Sequence, residues 1–184
     1  IAQAQLGYIV PAPPPADPRA DAWRLLLYIL SHGYEGRLGR EAISERGLAY
    51  YIDSRYRSDG SDAWITMAVG VDPHKIDALE ALMQEELQRL KTEPPTAAEI
   101  EEARTHLVGR AVSAAQSNAE LADALAVDWI WYGELQSPEE LAVRLAAIER
   151  QDVLDAIEPF VDGAVITVEE APQATTPGPG SSTS

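Results

Sequence analysis

The sequence contains no cysteine, few basic residues and no long apolar segment, and each shortage excludes a class of protein. Without cysteine there is neither a disulfide framework nor a thiolate metal site. Fourteen Lys and Arg against thirty Asp and Glu give the 184-residue chain a formal net charge of −16. This balance argues against nucleic acid and anionic membrane surfaces as partners, because both bind clustered cations. No apolar run approaches the ~20 residues that a membrane-spanning helix needs.

Familiar catalytic motifs are also lacking. His32, His74 and His106 lie far apart in the sequence, and none belongs to a His-x-x-Glu-His or His-Glu-x-x-His motif, which would place two imidazoles one helical turn apart. We therefore interpret them as solvated or helix-end histidines. The segment "GYEGRLG" lacks the Lys-Ser/Thr pair of a phosphate-binding loop, and no serine stands in a Gly-x-Ser-x-Gly elbow. The sequence predicts no catalytic residue and no metal site in this chain alone.

Four segments have the pattern of strands. Residues 1–10 read as a strand that ends at "PAPPPADP", where prolines oppose both ladder pairing and helix. Residues 48–57 and 62–71 alternate in polarity and are joined by "SDGS", which predicts a β-hairpin. The alternation places Leu48, Tyr50 and Ile52 on one face of the first hairpin strand. The segment "AVITVE" at 164–169 is the fourth strand.

The helices are marked by their ends. Asp17 can cap a first helix with Pro18 at its first position, and a short second helix ends at Gly47, which takes a left-handed backbone without steric cost. Asp72-Pro73 opens a long amphipathic helix, and a shorter one spans about 151–160. Three capping boxes announce further helices: Thr96 with Glu99, Ser117 with Glu120, and Ser137 with Glu140.

Strands early and late with helices between them indicate an α+β fold. We expect a two-layer sandwich in which helices cover one face of a largely antiparallel sheet. Residues 1–170 form one domain, and 171–184 are a low-complexity tail that cannot bury enough surface to become ordered. Because the chain starts without Met in a strand-like segment, we expect it to be a piece of a longer protein.

Several short sequence segments occur in an order that resembles a known protein family. "GLAYYI" follows a short helix, and "PPTAAEIEEARTHLVGR" and "SPEELAVRLAAIERQDVLDAI" come later. Over about residues 3–168 the chain resembles the C-terminal half of the pitrilysin/insulinase-type zinc metallopeptidases, which include mitochondrial processing peptidase and bacterial two-chain relatives. The resemblance implies that zinc is held by an inverted His-x-x-Glu-His in a partner half, with no cofactor in this chain.

The same resemblance implies a substrate wall on this half. The family's wall has an Arg and a Tyr seven positions apart, which hold the substrate backbone. Tyr50 matches the Tyr, but Ile43 stands where the Arg is expected. Arg46 and Arg40 are nearby without the family's spacing, and we take them, with Tyr50, as the candidate substrate-binding residues. Tyr50 could instead be a core tyrosine beside Leu48 and Ile52.

Two functions remain open at this point. In one, the chain is the non-catalytic half of a zinc peptidase and assists hydrolysis of peptides by its zinc-bearing partner. In the other, it is a degenerate scaffold or peptide-binding module, because the Arg is replaced by Ile43. The expected partners are the zinc-bearing half and a peptide, with no nucleic acid and no membrane span. The family and the Pro/Gly/Ser-rich tail favour a periplasmic location if the source is bacterial.

Overall fold

The computed structural model describes residues 4–114 and 116–170, and these form a mixed α+β fold. The predicted tail at 171–184 lies outside the described residues. The strands are β1 (Ala4–Ala12), β2 (Ala49–Ser58), β3 (Ala63–Val71) and β4 (Val165–Glu170). The helices are α1 (Ala20–Ser31), α2 (Arg37–Gly39), α3 (Ile76–Thr92), α4 (Ala97–Ala114), α5 (Asn118–Tyr132), α6 (Pro138–Ala146) and α7 (Arg150–Asp162). A π-helical turn (Arg40–Glu45) follows α2, and a 3₁₀ turn (Pro73–Lys75) precedes α3.

The four strands form one antiparallel sheet in the order β2-β3-β1-β4. The predicted hairpin is confirmed, because β2 and β3 pair along their length and the Asp59 amide donates to the Asp62 carbonyl at 3.2 Å. The last strand lies beside the first, with Tyr8 opposite Ile166. The arrangement confirms the α+β prediction of an open antiparallel sheet.

One face of the sheet is apolar and carries the helices. Alternate residues of β1 and β3 are buried on this face: Ala4, Leu6, Tyr8, Val10, Ile65, Met67, Val69 and Val71. Helix α7 packs against them, since the Tyr8 hydroxyl donates to the Phe160 carbonyl at 2.7 Å. The Trp23 ring of α1 lies 5.5 Å from the Phe160 ring. The opposite face of the sheet stays open, with Ile9 and Tyr51 exposed on it.

Two boundaries that the sequence placed at prolines differ from the structure. Strand β1 continues through Pro11, which pairs with Trp64 on one side only, because the pairing with β4 ends at Ile9. Proline is tolerated there because its missing donor faces the unpaired side of the strand. Helix α1 begins at Ala20 instead of Pro18. The Asp17 carboxylate, predicted as the cap, accepts from the Arg19 amide and pairs with its guanidinium.

The other predicted helix starts are confirmed in most details. The Asp72 side chain accepts from the His74 amide. Ser137 and Glu140 form a reciprocal capping box. The predicted box of Ser117 and Glu120 is only half formed: the Ser117 hydroxyl accepts from the Glu120 amide at 3.5 Å, but the Ser117 amide donates to the Ala114 carbonyl instead of to Glu120. None of the helices that the structure describes is both long enough and apolar enough to cross a membrane.

Candidate functional site

The segment between α1 and β2 reverses the chain through an uncommon backbone. After α2, the Arg46 amide donates to the Glu41 carbonyl five residues earlier, at 2.9 Å, which defines the π-helical turn. Such turns are rare and occur often at functional sites. Gly47 then takes a positive φ of 56°, as the sequence predicts for the helix end. The Lys75 ammonium donates to the Gly47 carbonyl at 2.9 Å and fixes this exit.

A bulge at the start of β2 decides where Tyr50 points. Ala49 pairs with Val71 and Tyr51 pairs with the adjacent Gly70, so Tyr50 is an extra residue without a partner in β3. The extra residue removes Tyr50 from the inward face that strand alternation predicted for it. Its side chain is 51% exposed, and the alternative of a core tyrosine is therefore wrong.

The bulge does not change the face on which the later residues of β2 lie. Ile52 and Tyr56 keep the half-buried face that the sequence predicted, and they pack against the hydrophobic core. Tyr51 lies on the open face of the sheet, where its hydroxyl accepts a hydrogen bond from the Gln5 amide at 3.0 Å. Its ring covers Gly70, so closely that a Cβ at position 70 would overlap it. Two adjacent phenols thus occupy different surroundings: Tyr51 is bonded and Tyr50 is open.

The residues predicted to accompany Tyr50 contact different elements. Ile43, at the family's Arg position, is half-buried against the core. Arg46 is exposed and pairs with Glu41 and, on α3, with Glu85, both at 3.2 Å. Arg40 donates to the Glu35 carbonyl at 3.2 Å in the loop before α2. Among the residues described, no hydrogen bond or ion pair joins either arginine to Tyr50.

Arg37 anchors this segment to α4, a role that the sequence did not suggest. Its guanidinium donates to both carboxylate oxygens of Glu99, at 2.7 and 2.9 Å, and to the Glu93 carbonyl at 2.6 Å. Glu99 also closes the predicted capping box by accepting from the Thr96 amide at 2.8 Å. The hydrogen bond from Arg37, followed by those from Thr96, lowers the pKa of Glu99 to about 2. The carboxylate therefore stays charged over the whole physiological range.

Two histidines that are distant in sequence meet beside a cleft. The His32 and His106 ring centroids lie 4.1 Å apart, and the Tyr28 ring is 4.5 Å from His106. His32 is the C-cap residue of α1 and His74 is exposed, as predicted for helix-end or solvated histidines. His106 differs, because it lies within α4 and meets His32 where α1 ends. Burial first, and then His32, lowers the pKa of His106. No local sequence signal marks the pair, because 73 residues separate its two members.

The cleft beside these rings has a volume of about 570 Å³ and an acidic lining that includes Glu35, Glu101 and Glu102. Even so, the described residues contain no group of three or more His, Asp and Glu side chains placed to hold a metal ion. Arg40 borders the adjoining part of the cleft, on the α4 side. Arg46 instead lies away from the cleft, on the side of the α1–β2 segment that faces α3, where it pairs with Glu85.

Comparisons with known proteins found one matching family model and several similar solved structures. The family model described as the peptidase M16 inactive domain matches residues 1–107. No curated protein matches the chain. An M16 inactive domain from Pseudomonas fluorescens is similar at 22% identity and a TM-score of 0.75, covering 91% of this chain and 41% of that one. A protease from Helicobacter pylori is similar at 19% identity and a TM-score of 0.72, covering 91% and 40%.

A shorter relative matches over nearly its whole length. The inactive peptidase domain of a Bordetella parapertussis protein assigned as a zinc protease is 17% identical with a TM-score of 0.76, covering 92% of this chain and 95% of that one. By contrast, the chain spans about two fifths of the Pseudomonas and Helicobacter chains. These likenesses show the fold, and the family match covers more than half of the sequence. The chain therefore belongs to the peptidase M16 inactive domains, which confirms its resemblance to the half of these zinc peptidases that does not bind zinc.

Proposed function

We propose that this chain is the substrate wall of a two-half zinc peptidase and assists hydrolysis by a zinc-bearing His-x-x-Glu-His half. The observation that carries the proposal is the position of Tyr50. The bulge leaves its phenol half-exposed at the start of an edge strand, free of the hydrogen bond that occupies neighbouring Tyr51. A free phenol can donate to a substrate carbonyl as negative charge develops on its oxygen, and loss of such a donor costs about 10²–10³ in rate.

The surroundings of Tyr50 suit an extended peptide. Strand β2 is an edge of the described sheet, and its outer side has no partner strand there. An extended peptide can add to such an edge through main-chain hydrogen bonds, which give affinity without strong sequence preference. The excess of acidic residues in the chain favours basic peptides weakly, and salt would screen this preference. Zinc chemistry belongs to the partner half in this proposal.

Kinetics of the reconstituted enzyme test the role of the phenol. Tyr50→Phe removes the hydroxyl alone, and we expect kcat for peptide hydrolysis to fall by about 10²-fold with little change in KM, because the bond forms chiefly in the transition state. Tyr51→Phe is the matched control, since it removes an adjacent phenol whose partner is Gln5. Equal kcat values for Tyr50→Phe and the wild type would show that this wall does not contact the reacting groups.

The second candidate function is a scaffold that binds a partner or a peptide without promoting cleavage. It is favoured by Ile43, which packs against the core where the family has an Arg, and by Arg46, whose charge is already paired with two carboxylates. Ile43→Arg separates the two candidates in the same assay. The wall role predicts faster hydrolysis, because a planar fork of donors would then stand on the turn that leads to Tyr50. A melting curve must show that the variant stays folded, since burying an unpaired charge is costly.

A further inference from the structure

Helix α5 is apolar, yet none of its fifteen residues is buried. A helix that is apolar around most of its circumference is normally covered by other parts of a protein. Trp129 is 65% exposed and Ile130 is 56% exposed, although both are side chains that cores and interfaces usually enclose. The helix therefore presents apolar surface for which this chain supplies no cover among the residues described.

Most of the exposed apolar side chains form one continuous strip along the helix, and Val127 lies outside it. At 100° per residue, one side of α5 carries the half-buried residues Leu121, Ala124, Leu125, Asp128, Trp131 and Tyr132, which face the rest of the domain. The adjoining side, over an arc of about 100°, carries exposed residues only. We call this strip the α5 outer face, and its members are Ala119, Ala122, Ala126, Trp129 and Ile130. The small alanines at one end would allow a partner to approach closely, and Trp129 projects at the other.

The strip is held in place by the inner side of the same helix. The Trp131 indole donates to the Ser58 carbonyl at 3.4 Å, and its ring meets Tyr56 edge-on at 5.4 Å. The guanidinium of Arg144 stacks over the Tyr132 ring at 5.0 Å. These contacts tie the end of α5 to the β-hairpin and to α6. The α5 outer face is thus presented by a fixed element, which lowers the entropic cost of binding to it.

Charge decides which kind of partner suits this face. The sequence between Arg110 and Arg144 has no Lys or Arg, but it has six carboxylates: Glu120, Asp123, Asp128, Glu134, Glu139 and Glu140. Asp123 is exposed at the border of the α5 outer face, and Glu120 is exposed farther around the same helix. Two copies that met through this face would bring like charges together, which opposes a homodimer. A partner with an apolar patch bordered by Lys and Arg would instead bind favourably in two ways. Its apolar patch would cover the α5 outer face, and its basic border would attract the carboxylates.

We propose that the α5 outer face docks the zinc-bearing half of the peptidase, through an apolar patch on that half bordered by basic residues. The inference rests on the proposed function, because it assumes that this half works with a zinc-bearing partner. Trp129 is the anchor, since exposed tryptophans that become buried at the centre of an interface carry a large share of its binding energy. The acidic border sets orientation and speeds association.

Titration of the zinc-bearing half with this chain tests the inference. We expect Trp129→Ala to weaken the affinity about tenfold or more, and emission of the wild-type tryptophans to shift to the blue on binding. Tyr34→Ala is the matched control, because Tyr34 is also an aromatic residue with 65% exposure. Tyr34 lies in the loop between α1 and α2, and so on a different element from the α5 outer face. We expect the affinity of this control to stay within twofold of the wild type.

Further measurements separate failure of the docking from failure of the proposed function. At saturating chain concentration, Trp129→Ala should leave kcat unchanged, whereas Tyr50→Phe should lower it. Wild-type affinity for Trp129→Ala would overturn the docking while the role of Tyr50 could still be confirmed. Halves that do not associate at all would overturn both proposals. Sedimentation of the chain alone should show monomers, and a dimer that Trp129→Ala dissociates would assign the α5 outer face to a second copy instead.

Discussion

At the residue scale, single side chains around the candidate wall serve two elements at once. The Glu99 carboxylate caps α4 through Thr96 and accepts hydrogen bonds from Nε and Nη2 of the Arg37 guanidinium. Arg37 begins α2, so this one carboxylate fixes the start of a long helix and holds the segment that leads to Tyr50. The capping box was predictable from the spacing of Thr and Glu in the sequence. The pairing with Arg37 was not, because 62 residues separate the partners.

The lowered pKa of Glu99 makes part of the stability dependent on pH. Its folded-state pKa of about 2 lies below the ordinary value of 4.5, so the pairing stabilises the fold above pH ~4.5 and is lost as pH falls through about 2. We expect Glu99→Gln to lower the free energy of unfolding at pH 7 by about 1–2 kcal/mol after solvent screening is allowed for. Urea unfolding at several pH values should show this difference shrinking as the pH decreases below ~4.5.

Glu101→Gln provides the control for that series. Glu101 lies on the same helix and pairs with Arg104, but its side chain is largely exposed. Exposed pairs contribute little to stability, so we expect a change below about 0.5 kcal/mol at pH 7. A difference between wild type and Glu99→Gln that stayed constant from pH 7 to pH 3 would show that the carboxylate charge is not responsible.

At the element scale, the approach to β2 depends on a crowded turn. Gly39 ends α2 directly against the backbone carbonyl of Gly33, and a Cβ at position 39 would overlap that oxygen severely. The obstacle is backbone, which cannot swing aside as a flexible side chain would. The sequence shows the glycines of "GYEGRLG" but does not show why position 39 needs one, since the close contact joins Gly33 and Gly39 across a loop.

Replacement of Gly39 therefore tests whether the turn is as tight as described. We expect Gly39→Ala to destabilise the domain by about 2–4 kcal/mol, because backbone must move to admit the methyl group. Gly109→Ala is the matched control: it lies within α4, and a Cβ there meets nothing within 4 Å. That variant should be stabilised by about 0.5–1 kcal/mol through helix propensity. Thermal or urea unfolding measures both, and equal effects of the same sign would contradict the packing.

The bulge in β2 explains why the alternation of polarity predicted the faces of most residues in this strand but not that of Tyr50. Alternation of polarity placed Ile52 and Tyr56 on their observed face, because pairing is regular from Tyr51 onward. The same alternation failed for Tyr50, since one unpaired residue reverses the faces on its two sides. A period of two contains no information about an inserted residue. Only the register between Ala49 and Val71 reveals it.

At the scale of the whole molecule, the described part of the chain leaves several surfaces uncovered. It has an open sheet face, an exposed phenol beside an edge strand and an uncovered apolar helix. The exposed phenol and the apolar helix lie on different elements: Tyr50 is on β2, and the α5 outer face is on a helix of the other layer. A partner could therefore be bound through α5 while the edge of β2 remained available to a peptide.

Metal analysis tests the division of labour between the two halves. We expect the purified, tag-free chain to hold well below one zinc per molecule, because two imidazoles without a third placed ligand bind the ion weakly. Equilibrium dialysis followed by elemental analysis is the measurement, with His106→Ala to detect a contribution of the pair. One tightly held zinc per chain, lost in His106→Ala, would establish a metal site in this half.

The sequence by itself determined the class of fold, the hairpin, most helix starts and the membership of the zinc-peptidase family. The fold class, the hairpin and the helix starts are encoded by periodicity, turn residues and caps, all of which act within a few residues along the chain. The family membership instead rests on the resemblance of sequence words such as "GLAYYI" and on the match of the family model. The tertiary structure decided the exposure of Tyr50, the anchoring of Arg37, the meeting of His32 with His106 and the exposure of α5. Each of these features depends on which segments, distant in sequence, pack together. Local propensity does not predict such packing.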